Sequence, residues 1–553
     1  MNLKTGLIFL QLFFSIALFA ATKKYSNPII PGFNPDPSIC SVGNDFYLVT
    51  STFEYFPGVP VYHSKDLVNW TIIGHVLNRS SQLNLVGAGC SRGIFAPTIR
   101  YHNGTYYVIT TLVDGFGNFV VTAKNPAGPW SEPHRIANAP GIDPSLFFDS
   151  GKVYYCGTYR PEKQLWAKHH NIYIQELDTT TWQLIGTKKE VLHGAEFYGK
   201  MQHPINDGIQ AAVNNYEGPH IYKKDGYFYL LVSHGGTSEN HAVSMWKSDN
   251  IYGPYSINPS NPIVTHRKLS YENALTSTGH ADLAQDKNGN WWMVLLARRP
   301  KGGANTIMGR ETCLAPVQWD GEWPVVGDAN KKGIVELEYN IPDLKQVKSK
   351  KHTFEDQFSS EILNPEWLFL RTPQTKWWST SDRKGYLTLK LRAASISDID
   401  NPSFVGFRQQ HHRFETIVKM DFKATSDNEE AGIVIERSNK NFFRFVMSYN
   451  LGKQVVKLIR NDNKIINQVI TIVDAPYRIS FLRVTFIDNK YSFSISSNAK
   501  KWQTIAQNQD GSFLGTYESG PFTGTIIGLY ASSNGKMSEN SASFDWFKYI
   551  PQH

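Results

Sequence analysis

A short phrase occurs five times along the first half of this chain, each time at the head of a strand-like segment. It reads Asn34-Pro35-Asp36-Pro37-Ser38-Ile39, then Ala96-Pro97-Thr98-Ile99, Asp143-Pro144-Ser145-Leu146, Gly218-Pro219-His220-Ile221 and Gly279-His280-Ala281-Asp282-Leu283. A turn glycine and an aromatic-rich strand follow each phrase, as in Gly104-Thr105-Tyr106-Tyr107-Val108 and Gly289-Asn290-Trp291-Trp292-Met293. The turn glycines Gly43, Gly104, Gly151, Gly226 and Gly289 stand 61, 47, 75 and 63 residues apart, so the loops vary while the strand core recurs. Repeats of this length, each a few short strands split by glycine turns, are the sequence signature of a radial β-propeller. Five units predict five blades.

In a propeller the first strand of every blade lines the central channel, so equivalent positions of different blades meet at one mouth of it. Asp36 and Asp143 are equivalent, and Glu217 lies one place earlier in the fourth phrase. Three carboxylates from distant parts of the chain are thus predicted to face one another.

The repeat dominates from about Tyr25 to Tyr339, and the propeller is assigned to residues 25–340. A polar, basic stretch, Val347-Lys348-Ser349-Lys350-Lys351-His352, closes a linker at 341–352. Beyond it, segments such as Tyr386 to Leu391, Thr416 to Phe422, Gly432 to Arg437, Tyr491 to Ser496 and Ala542 to Phe547 alternate apolar and polar residues. Half-buried antiparallel strands do this, and residues 353–553 are read as a β-sandwich. Trp367, Trp377, Trp378 and Trp502 are expected to pack rather than to offer sugar platforms.

At 553 residues the chain exceeds one compact core. Aromatics at 13% and charged residues at 19% suit a rigid β protein and argue against disorder. The net charge of +8 is scattered lysine, and without a basic run interleaved with aromatics no nucleic-acid partner is expected. An apolar run from Leu7 to Ala20 behind Lys4, ending in Ala20-Ala21, reads as a signal peptide over residues 1–21, and hence export to a secreted or periplasmic destination. No later stretch is long and apolar enough to span a bilayer. Four cysteines, Cys40, Cys90, Cys156 and Cys313, match no zinc spacing and are read as buried small residues, with one bridge left open.

Hydrolysis of a glycosidic bond needs a carboxylic acid to protonate the leaving oxygen and a carboxylate to act on water or on the anomeric carbon. A third carboxylate nearby raises the acid's pKa, because like charges in one site resist joint ionisation. Asp36, Asp143 and Glu217 supply that set. Two rival uses stand beside it: Asp and His at a channel mouth holding a cation, and an aromatic-lined propeller that binds sugar without cleaving it.

Together, Asn34-Pro35-Asp36-Pro37, Gly141-Ile142-Asp143-Pro144-Ser145, Tyr216-Glu217-Gly218-Pro219-His220, Gly279-His280-Ala281-Asp282 and Gly309-Arg310-Glu311-Thr312 resemble the motifs of glycoside hydrolase family 43, in its β-xylosidase branch. Phe354-Glu355-Asp356-Gln357-Phe358 is similar to the opening of that branch's C-terminal concanavalin-like β-sandwich. The resemblance implies Asp36 as the base that activates water, Glu217 as the acid, and Asp143 as the group that raises the acid's pKa and orients it. It implies an inverting, exo-acting enzyme that releases xylose from xylo-oligosaccharides, or arabinofuranose from arabinoxylan or arabinan. Arg310 matches an arginine that contacts the sugar beside the acid. His280 matches a channel histidine associated with structural calcium in many relatives, and no other cofactor is implied. Phe53 and Thr237 match residues lining the terminal-sugar pocket. Phe95 stands where relatives often carry Trp, a smaller stacking face. Phe522 matches a sandwich residue that reaches over the active site, with a place in the sandwich core as the alternative.

Overall fold

A computed structural model describes residues 23–165, 168–193, 215–272, 274–347 and 353–552. The signal segment falls outside the described residues, and no helix among those described is long and apolar enough to cross a membrane.

The first half is a five-bladed β-propeller of antiparallel sheets. Strands Ser38–Val42, Thr98–His102, Ile142–Asp149, Glu217–Lys224 and Thr276–Gln285 open the five blades, and each follows or contains one recurring phrase. Every one pairs with the strand beyond its turn glycine. Asn103-Gly104, Ser150-Gly151 and Asp225-Gly226 have positive φ at both residues, the geometry of the two-residue hairpins that match strand twist. The ring is closed by the start of the chain. Lys24–Ser26 pairs with Glu338–Asn340, Ile30 bridges Thr312, and the Asn27 amide bonds Leu314 in both directions.

The second half is a sandwich of two eight-stranded sheets. Its strands Leu387–Lys390, Arg413–Asp421, Glu430–Ser438, Lys490–Ser496 and Ser541–Pro551 cover the alternating segments. In Arg413–Asp421 residues alternate between buried and partly exposed, as one packed and one wetter face demand. Trp367 and Trp377 are core residues at 2% exposure, Trp378 packs against the same core, and Trp502 lies under the Arg483 guanidinium. The four cysteines are unpaired, and only Cys90 is not fully buried.

The two halves share one sheet. Tyr55–Phe56, a short strand of the propeller, pairs with Leu368–Leu370 and forms the edge of a sandwich sheet. One apolar cluster accordingly runs from Val49, Phe56 and Leu83 into Phe369, Phe445 and Phe547. Inside this join lie two buried carboxyls. Glu54 accepts from the Ser91 amide at 3.0 Å, and Glu436 accepts from the Tyr55 hydroxyl at 2.7 Å.

Burial pushes Glu54 up to about 8, aided by Glu436, and pushes Glu436 up to about 7. Folded-state values above the unfolded ones mean that this stability is complete below the free carboxyl range, about 4.3, and is lost as pH rises through 7 to 8. The melting temperature should fall between pH 6 and 8.5, and Glu436→Gln should flatten that fall. Thermal melts of both proteins across this range check it; parallel curves would refute it.

Candidate active site

The recurring phrase builds the site by bending the first strand of a blade. Strand register slips at Ile142/Ser145, Glu217/His220 and Gly279/Asp282, and at the bend Asp36, Asp143, Gly218 and His280 all have φ near +50°. A left-handed non-glycine residue costs about 1 kcal/mol or more and persists only where its surroundings enforce it. Here the bend turns side chains into the channel mouth. In blade four the bent position is Gly218, packed so that a Cβ would sit 3.1 Å from the His280 ring. Glycine takes the left-handed bend without strain, and the carboxylate stands one residue back at Glu217.

One cavity, with about 350 Å³ of empty space, is lined by Asp36, Asp143, Glu217, Phe53, Phe95, Thr237, His280, Arg310 and Phe522, together with Ala96 and Ile142. Every residue singled out from the sequence therefore meets at one place. Asp36 and Asp143 are 4% and 7% exposed, while the Glu217 side chain is 18% exposed and sits nearest solvent.

Asp36 accepts from Arg310 Nη1 at 2.7 Å and Nη2 at 3.3 Å and from the Ser51 hydroxyl at 2.6 Å; His280 Nδ1 lies 3.8 Å away. Burial by itself would raise this carboxyl. Arg310, then His280 and Ser51, outweigh burial and hold Asp36 below the usual carboxylate range. Arg310 thus grips the Asp36 carboxylate from within the cavity that it lines together with Glu217. Its remaining donors reach Thr237 Oγ1 at 3.3 Å and the Phe522 carbonyl at 3.2 Å.

Asp143 has no arginine. Burial, then Glu217 and Asp36, push it up to about 7 against the opposing pull of His280. Burial also acts to raise Glu217, but His241, with Nε2 at 3.4 Å from Oε1, holds it low. The two carboxyls titrate together. The proton they retain to near neutrality therefore belongs to the pair.

Part of the cavity wall is aromatic. Phe53 stacks on Phe522 at 5.6 Å, and Phe95 meets both edge-on at 5.2 and 5.9 Å. Three buried arginines fix the sandwich segment that carries Phe522: Arg437, Arg298 and Arg310 donate to the successive carbonyls of Gly520, Pro521 and Phe522. Phe522 is thereby both a cavity residue and part of the apolar cluster around Phe33 and Tyr530.

His280 Nδ1 faces Asp36, whose carboxylate is bonded by Arg310 and Ser51. Among the described residues no three His, Cys, Asp or Glu side chains are placed to hold an ion. Sequence reasoning missed Ser51 and His241, which lie outside the recurring phrase. The only trace of His241 is Gly279, where a Cβ would fall 2.3 to 2.4 Å from the His241 ring.

A carboxylate held ionised, a carboxyl pair retaining a proton and an aromatic wall define a glycosidase cavity on a propeller. Comparison with known proteins agrees. The sequence model of glycosyl hydrolases family 43 matches residues 25–324, and that of the β-xylosidase C-terminal concanavalin A-like domain matches residues 355–550. A xylosidase/arabinosidase of Butyrivibrio fibrisolvens is 42% identical, over 94% of this chain and 98% of its own. A non-reducing-end α-L-arabinofuranosidase of Bacteroides ovatus is 38% identical, over 96% and 95%. Among solved structures, the Bacteroides ovatus xyloglucan-locus GH43B superposes with a TM-score of 0.87 at 37% identity, over 96% of this chain and all of that one. A xylan β-1,4-xylosidase of Bacillus halodurans superposes at 0.85 and 32% identity, over 95% of this chain and all of that one. The chain belongs to glycoside hydrolase family 43, and it is a glycoside hydrolase with a C-terminal concanavalin-like domain.

Removing the cation beside a buried carboxylate is costly. Arg310→Met should destabilise the protein by about 3 kcal/mol at neutral pH. Without Arg310 the burial of Asp36 goes uncompensated and its pKa rises, so the deficit should shrink as pH falls and Asp36 protonates. Denaturant unfolding at pH 7 and pH 4 checks both the size and the trend.

Proposed function

We propose that this protein is an inverting, exo-acting β-xylosidase that releases xylose from the non-reducing ends of xylo-oligosaccharides. The observation that carries the reading is the unequal treatment of two buried aspartates at one cavity. Asp36 is kept ionised by Arg310, while Asp143 and Glu217 keep a proton between them.

In the reaction Asp36 takes a proton from water as the water oxygen bonds the anomeric carbon. The bond from that carbon to the leaving oxygen breaks, and the leaving oxygen takes the proton of Glu217. The sum is the addition of one water across the glycosidic bond, with inversion. Asp143 acts as the neighbour that keeps this proton available to near-neutral pH. Phe95 and Phe522, backed by Phe53, offer aromatic faces to one ring, and the Phe522 segment blocks further sugar on that side, which favours attack at a chain end. The apolar run from Leu7 to Ala20 supports export as the route to such substrates.

An α-L-arabinofuranosidase is the second reading. It is favoured by relatives whose names carry that activity alone or together with xylosidase, and by Phe95, which presents a smaller ring than Trp to the bound sugar. Parallel assays on the para-nitrophenyl β-xyloside and α-arabinofuranoside, with product analysis on xylo-oligosaccharides and arabinoxylan, separate the two. Arabinoside turnover well above xyloside turnover would replace the first reading with the second, and no turnover of either would remove both in favour of a sugar-binding propeller.

Asp36→Ala and Glu217→Ala should each cut turnover a hundredfold or more, as general acid and base groups contribute. The pH profile of kcat/KM should be bell-shaped, its acidic limb below the ordinary carboxylate range and its alkaline limb near 7. Ser51→Ala removes a hydrogen bond that lowers the Asp36 pKa, so its acidic limb should move to higher pH. Near-normal rates in the two alanine variants would remove the assignment.

A further inference from the structure

His241 lies at the end of the loop that carries Thr237, just ahead of strand Ala242–Ser248. Its ring is 0% exposed and lies flat against the backbone of the blade-five phrase, in the space that Gly279 leaves by lacking a side chain. Nδ1 is 3.2 Å from the Ser277 carbonyl oxygen. A carbonyl only accepts, so Nδ1 carries a hydrogen and the tautomer is fixed. Nε2 is buried, has no hydrogen-bond partner elsewhere among the described residues, and is aimed at Glu217 Oε1 at 3.4 Å.

Two protonation states satisfy that contact. A neutral ring presents a lone pair at Nε2 and needs a hydrogen on Glu217. An imidazolium presents N–H and needs the Glu217 carboxylate. In either state a single proton lies between the two side chains, and the Glu217 carboxyl is anchored from behind by a ring that cannot turn. The other charged groups at the cavity, Asp36 with Arg310, Asp143 and His280, lie along its walls.

We propose that His241 is a positioning residue for acid catalysis, holding the Glu217 carboxyl in place and sharing its proton. The inference rests on the reading of Glu217 as the acid. In the acid step the Glu217 O–H bond breaks and its proton goes to the leaving oxygen, and His241 keeps its Nδ1 hydrogen throughout. The benefit is therefore confined to leaving groups that need a proton. A sugar hydroxyl does; a dinitrophenolate departs as a stable anion.

The test compares xylobiose with dinitrophenyl β-xyloside for the wild type, Glu217→Ala, His241→Phe and His241→Gln, with melting curves for each. His241→Phe keeps the ring volume without nitrogens, and it should lower kcat on xylobiose about tenfold or more. Its KM should stay within about twofold, and turnover of the dinitrophenyl substrate should fall by no more than about twofold. His241→Gln, which restores a polar group, should recover part of the loss. Gly279→Ala provides an independent route, since the new Cβ displaces the His241 ring without touching Glu217; it should reproduce the same leaving-group pattern. If Glu217→Ala shows the leaving-group pattern and the His241 and Gly279 variants lose equally on both substrates, or lose nothing, the role of His241 is overturned. If Glu217→Ala shows no such pattern, the reading of Glu217 falls and the inference falls with it.

Discussion

The carboxylate of Asp282, at 0% exposure in the channel, holds the ring of blades in register. From blade five it accepts from the Ser38 hydroxyl and the Ile39 amide of blade one, from both Nη atoms of Arg100 in blade two, and from the Tyr222 hydroxyl of blade four. Blade three joins through two further contacts, Thr98 to the Pro144 carbonyl and Ser145 to the Pro219 carbonyl. A charge buried this deeply is stable only when fully paired. Burial works against the ionised form of Asp282, and Arg100 and His220 overcome it and hold the pKa well below the carboxylate range. Each bond fixes a first strand just past its bend, so the convergence of Asp36, Asp143 and Glu217 follows from how the channel satisfies this one anion.

The same burial acts on Asp36 and Asp143 with opposite outcomes. Both sit in the left-handed bend of equivalent strands and both are nearly inaccessible. Arg310 reaches Asp36 from the start of the third strand of blade five, and among the described residues the cationic pull on Asp143 comes from His280. The chemical asymmetry of the site is therefore set by which neighbour the ring geometry delivers to each of two copies of one local motif. Repetition builds the frame, and the departures from it at Glu217 and Arg310 make the frame useful.

The recurring phrase was legible because the channel imposes a related local solution on the blades: a left-handed bend in four of them, a proline in the first four, and a polar residue that bonds across to a neighbour. The offset of Glu217 was legible too, although the packing around it was not, since the His280 ring that crowds Gly218 lies far along the chain. His241 and Ser51 carry no repeated signal. The first sits on a blade-specific loop and the second at the end of a second strand, so only tertiary contact reveals them. The sandwich strands were readable from alternation. The two-residue strand Tyr55–Phe56 was not, because a segment so short has no period to detect. Phe522 stood between core and cavity in the sequence, and the fold uses its ring for both.

That short shared strand has a bearing on how such a chain can be cut or recombined. With Tyr55–Phe56 completing a sandwich sheet and three arginines clamping the segment before the stacked phenylalanine, the catalytic pocket belongs to neither half. A propeller expressed by itself would expose an unpaired edge and a stripped aromatic face, and its cleft would open where the intact enzyme has a wall. The smallest portable unit of this activity is the whole two-domain body, and any chimera has to carry both sides of the seam.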